Sequence, residues 1–118
     1  MVQRAGDRVS VRFGSADTAE PHDALLVEGE ALVPAGHAVA RFRLSPGLAG
    51  HRLGCACCTP RGPVAEALGR LFLARARAEA PFFSAVVAVV ATPAGEASVR
   101  AALAGDQLSA GRFRLAHR

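Results

Sequence analysis

The sequence has 118 residues, 51% hydrophobic and 20% charged, which fits one globular domain spanning residues 1–118 and excludes an intrinsically disordered chain. All 14 basic side chains are arginine, which excludes mechanisms that need lysine, such as a Walker A phosphate loop or a Schiff base. The net charge of +4 comes from residues 51–118, but their arginines are scattered without interleaved aromatics, so solvated surfaces are favoured over a nucleic-acid site.

The first half of the chain is typical of short strands and loops. Hydrophobic alternation predicts strands over residues 8–13 and 37–44. Residues 14–23 are polar and predict a loop. Residues 24–34 (ALLVEGEALVP) predict either two short strands around a Glu-Gly-Glu turn or one strand followed by a turn. Residues 45–54 contain three glycines and a proline and predict another loop.

The second half changes to helical spacing. Residues 63–80 predict an amphipathic helix that begins at a proline and is stopped by Pro81. Residues 82–91 form an apolar run typical of a strand covered on both faces, as in a parallel sheet. Residues 95–105 predict a short helix, and residues 109–118 the start of another strand. The predicted fold class is therefore α/β, a layered and mostly parallel sheet with flanking helices.

The sequence shows neither a secretion signal nor an apolar stretch of membrane-spanning length, so we expect a cytoplasmic protein with no membrane partner. Three cysteines without an export signal also favour a reducing compartment over a disulfide framework.

All three cysteines, Cys55, Cys57 and Cys58, lie within four positions. Clustered thiolates select Zn²⁺, Cu⁺ or iron–sulfur chemistry over hard cations. An iron–sulfur cluster usually needs four cysteines, so the count favours zinc, with Cu(I) as the alternative. We predict that the three residues are metal ligands, with His51, water or a partner's side chain in the fourth position.

Other interpretations of the cluster remain open. The three cysteines could be small buried hydrophobic residues, and Cys55 and Cys58 have the spacing of a C-x-x-C redox motif. His22, His37 and His117 show no ligand spacing and are predicted to be surface groups. No nucleophile–base pair or paired carboxylate is recognisable, so no catalytic residue is predicted.

The segment GCACCTPRGPVAEALGRL resembles the metal-site segment of the CobW family of P-loop GTPases. Gly54, the three cysteines, Arg61 and Gly62 match the family's G-C-x-C-C and following Arg-Gly, whereas Pro63 stands where the family usually has Asp. The resemblance extends over residues 48–118. It implies a P-loop GTPase-like fold and a role in delivering metal ions.

The nucleotide motifs of that family are missing. The loop after the first predicted strand, FGSADTAE, has one glycine and no lysine, and so cannot form the phosphate loop. Val89, Val90, Ala91 and Thr92 replace the family's Glu-Thr-Thr-Gly, and the guanine-specificity motif does not occur in these 118 residues. We therefore expect a metal carrier or buffer without GTPase activity. The alternative is a pseudo-GTPase interaction module that partners a full-length homologue or self-associates.

Overall fold

The computed structural model describes residues 8–44 and 62–116, which form a five-stranded sheet and three α-helices. The strands are β1 (Val9–Phe13), β2 (Asp23–Glu28), β3 (Val39–Phe42), β4 (Ala85–Val89) and β5 (Phe113–Leu115). The helices are α1 (Pro63–Ala76), α2 (Pro93–Gly105) and α3 (Gln107–Arg112), and a single 3₁₀ turn covers Ala16–Thr18.

The sheet has the order β3-β2-β4-β1-β5, and every pair of neighbours is parallel. This confirms the predicted layered α/β class. The run at residues 82–91 becomes the central strand β4, which is why both of its faces are apolar. Residues 24–34 follow the second of the two predicted alternatives, because β2 ends at Glu28 and Gly29 then turns the chain with φ +87°.

Alternate strand residues supply two separate apolar clusters, one on each face of the sheet. The larger cluster combines strand residues such as Val11 and Leu26 with Leu68 of α1 and Val99 of α2. The smaller cluster lies on the opposite face and contains three residues with no exposed surface, Leu25, Val27 and Val87. Ala19 and Val33, both from loops, pack against it. The helical layer therefore lies on the first face, and loop residues cover the smaller cluster.

Element boundaries differ from the predictions where local hydrogen bonds decide them. Helix α1 ends at Ala76 instead of running to residue 80, because Ala78 has φ +56° and the N–H of Glu79 reaches back to the carbonyl oxygen of Ala74 at 2.8 Å. Helix α2 begins two residues earlier than predicted, because Thr92 caps it by accepting a hydrogen bond from the N–H of Gly95.

The end of the described chain contains a helix that the sequence pattern did not predict. Residues 109–112 lie in α3, and only Phe113–Leu115 form the predicted strand. Asp106 caps α3 by accepting from the N–H of Ser109, and this local bond allows a six-residue helix in a segment whose alternation favours a strand.

Candidate functional site at the carboxyl edge of the sheet

The predicted metal ligands Cys55, Cys57 and Cys58 lie outside the described residues, as does His51. The prediction of a thiolate site therefore stays a prediction. Within residues 8–44 and 62–116, no group of three or more His, Cys, Asp or Glu side chains could hold a metal ion.

The described residues on either side of the cysteine segment lie at one edge of the sheet. Leu44 comes two residues after β3 ends, and Gly62 immediately precedes α1. Since all the strands are parallel, they end at the same edge, which we call the carboxyl edge. Ligands of open α/β sheets bind at this edge, where connections leave in opposite directions. Here the chain after β1 leads to β2 on one side, and the chain after β4 leads to β5 on the other.

The best-defined polar arrangement at the carboxyl edge is centred on Glu28, the last residue of β2. Its Oε1 accepts hydrogen bonds from the backbone N–H of Ala91 at 2.7 Å and of Thr92 at 3.0 Å. Its Oε2 accepts from the Thr92 hydroxyl at 2.8 Å. The carboxylate therefore satisfies donors of the turn that leads from β4 into α2, where the helix dipole favours a negative charge.

Gly95 makes room for this carboxylate. A Cβ atom on Gly95 would lie 2.9 Å from Oε2 of Glu28, and closer still to Oε1 and Cδ. Gly95 is buried, and its N–H donates to the hydroxyl oxygen of Thr92 at 2.9 Å. Glu28, Thr92 and Gly95 thus form one hydrogen-bonded unit that joins β2 to the start of α2.

Two opposing effects act on the pKa of Glu28. Desolvation raises it, but the hydrogen bonds from the Thr92 hydroxyl and from the Ala91 and Thr92 N–H groups outweigh that effect. The net result is a pKa below the ordinary range of a glutamate. The side chain is therefore ionised at neutral pH, and its negative charge occupies the position at which a helix N-terminus would otherwise attract an anion.

The four residues predicted to replace the family's Glu-Thr-Thr-Gly motif lie in this same turn. Val89 ends β4, and Thr92 caps α2. The carboxylate that binds this turn comes from Glu28, at the end of the neighbouring strand β2. Sequence reasoning missed its role because Glu28 and Thr92 are 64 positions apart. The available signal was a charged residue followed by glycine at the end of a buried strand.

The loop after β1, where a phosphate loop would lie, folds back over the sheet. Residues 14–22 contain the 3₁₀ turn and a second turn at residues 21–22, and the Thr18 hydroxyl donates to the carbonyl oxygen of Ser15 at 2.8 Å. The loop is joined to the sheet by Asp23, which accepts from the N–H of Glu20 at 2.8 Å and pairs with Arg12 at 2.8 Å.

Asp23 is 7% exposed and is the second perturbed acid of the described chain. Burial of the Asp23 carboxyl raises its pKa. The hydrogen bonds from Arg12 and the Glu20 N–H, together with the charges of Arg12 and His37, lower the pKa by more than burial raises it, so the net pKa lies below the ordinary value of an aspartate. Asp23 is a structural anchor, since its carboxylate is engaged by groups of the fold itself.

The histidine predictions have different outcomes. His22 is exposed, as expected for a surface group. His37 is half-buried, and its Nδ1 lies 2.7 Å from the carbonyl oxygen of Asp23, so the prediction of a simple surface group is wrong for this residue. The sequence pattern did not reveal this because the contact crosses from a loop to the start of β2. His117 lies outside the described residues.

No protein-family model, curated protein or solved structure matches this chain. The resemblance to the CobW family therefore rests on the sequence motif alone. In the described ranges, none of the helices has the length and apolar character required to cross a bilayer.

Proposed function

We propose that this protein is a cytoplasmic metal carrier or buffer that binds zinc, with Cu(I) as the alternative, through Cys55, Cys57 and Cys58, and that it has no GTPase activity. The observation that carries the proposal is the clustering of every thiol of the chain in four positions, in the G-C-x-C-C pattern. Three thiolates leave one position of a tetrahedral zinc ion for exchange with water or with a partner's ligand.

The position of the motif in the chain supports this proposal. The cysteine segment joins the end of β3 to the start of α1, so its flanking residues lie at the edge where α/β proteins bind their ligands. The proposed lack of GTPase activity is supported by the missing phosphate loop and by Glu28, whose negative charge lies at the N-terminus of α2. A nucleotide phosphate at that point would meet a fixed carboxylate.

The test is native mass spectrometry of the protein purified anaerobically without chelator, combined with alkylation of the thiols before and after chelation. We expect one zinc ion per chain and three cysteines that become reactive only after chelation. Cys57→Ser should weaken zinc binding by at least about tenfold, because even the loss of a residue that only hydrogen-bonds to a metal ligand costs about 10- to 100-fold in affinity. His22→Ala, at an exposed histidine, is the matched control and should bind zinc as the wild type does. Apo protein with three freely reactive thiols that does not take up zinc would refute the proposal.

A protein-interaction module is the second candidate, with a full-length homologue or a second copy of the chain as partner. Two strongly exposed apolar side chains favour it, Phe82 at 62% and Leu32 at 95% exposed. Size-exclusion chromatography with light scattering, with and without zinc, distinguishes the two candidates. Zinc-independent self-association would favour the module, and a zinc-loaded monomer would favour the carrier.

A further inference from the structure

We draw no further inference here: the strongest candidate, the half-buried patch that Ser10 and Arg114 form on the sheet face opposite the helical layer, carries nothing, because nothing in the structure shows what covers it.

Discussion

The unit formed by Glu28, Thr92 and Gly95 makes a sharp prediction about coupling between two positions far apart in sequence. Gly95→Ala places a methyl group where the carboxylate of Glu28 lies, within 2.9 Å of Oε2 and closer to Oε1. The carboxylate is the end of a long side chain, but three hydrogen bonds hold it. We therefore expect the substitution to expel the carboxylate and break these bonds.

The magnitude follows from those bonds. Glu28→Ala should lower the free energy of unfolding by about 2 kcal/mol. Hydrogen bonds to a charged acceptor contribute about 1.5–3 kcal/mol, and the value is placed within this range because the Glu28 carboxylate is partly solvated. Gly95→Ala should lose the same interactions but recover about 0.5–1 kcal/mol of helix propensity, for a net loss of about 1–1.5 kcal/mol. In the Glu28→Ala background, Gly95→Ala should instead stabilise by about 0.5–1 kcal/mol. The expected coupling energy is therefore about 2 kcal/mol.

Urea unfolding of the four proteins, followed by far-UV circular dichroism, measures this cycle. The chain has no Trp or Tyr, so intrinsic fluorescence is a poor probe. Gly105→Ala is the matched control in the same helix, because a Cβ there meets nothing within 4 Å, and it should be equally neutral or stabilising in both backgrounds. If Gly95→Ala changed stability by the same amount with and without Glu28, the proposed overlap would be refuted.

The pH dependence of the cycle adds an independent check. The pKa of Glu28 is lower in the folded protein than in the unfolded chain, so its contribution is complete above the unfolded pKa and is lost as pH falls through the folded value. The stability difference between the wild type and Glu28→Ala should therefore be constant near neutral pH and shrink below about pH 4.5. A difference that grew in acid would contradict the assigned role.

Three further predictions concern the fold. Ala78→Gly should raise the free energy of unfolding by about 0.5–1 kcal/mol in urea titrations, because Ala78 has φ +56° at the end of α1, and a lower stability would contradict the left-handed geometry. The lowered pKa of Asp23 predicts stability that is lost as pH falls below about 4, so Asp23→Asn should flatten the acid limb of a pH–stability curve, and an unchanged limb would rule out this contribution. Ser109→Ala should leave the free energy of unfolding in urea unchanged or raise it, because the buried Oγ of Ser109 has no hydrogen-bond partner among the described residues. A decrease in the free energy of unfolding of more than about 1 kcal/mol would contradict this assignment.

Several elements were predictable because their signals are local. Alternation identified β1 and β3, and the apolar run at 82–91 identified a strand buried on both faces. Alternation reflects the two-residue side-chain period of a strand, and a short continuous apolar run reflects burial of both faces, and neither pattern depends on which strands are neighbours.

The unpredicted features depend on contacts between distant residues or on single hydrogen bonds. The role of Glu28 requires that β2 and β4 be adjacent, which hydrophobic periodicity does not specify. The end of α1 depends on the left-handed conformation of Ala78, a residue that favours helix elsewhere. Helix α3 is only six residues long and begins at a capping aspartate. The proposed thiolate site, in contrast, rests on the residue type and spacing of the cysteine cluster and on the resemblance of its segment to the CobW motif.

The strand order also affects how the protein is made. In the sheet β1 lies between β4 and β5, with Val9 opposite Phe113 and Ser10 opposite Ala85. The first strand of the described chain therefore pairs with the last two, so that β1 has no neighbour until β4 has been synthesised and gains its second neighbour only with β5. Such long-range pairing slows folding, because the ends of a long chain must meet before any contact stabilises them. Until β4 is synthesised, the apolar side chains of β1 are thus without their native neighbours, and such transiently unpaired apolar strands favour aggregation.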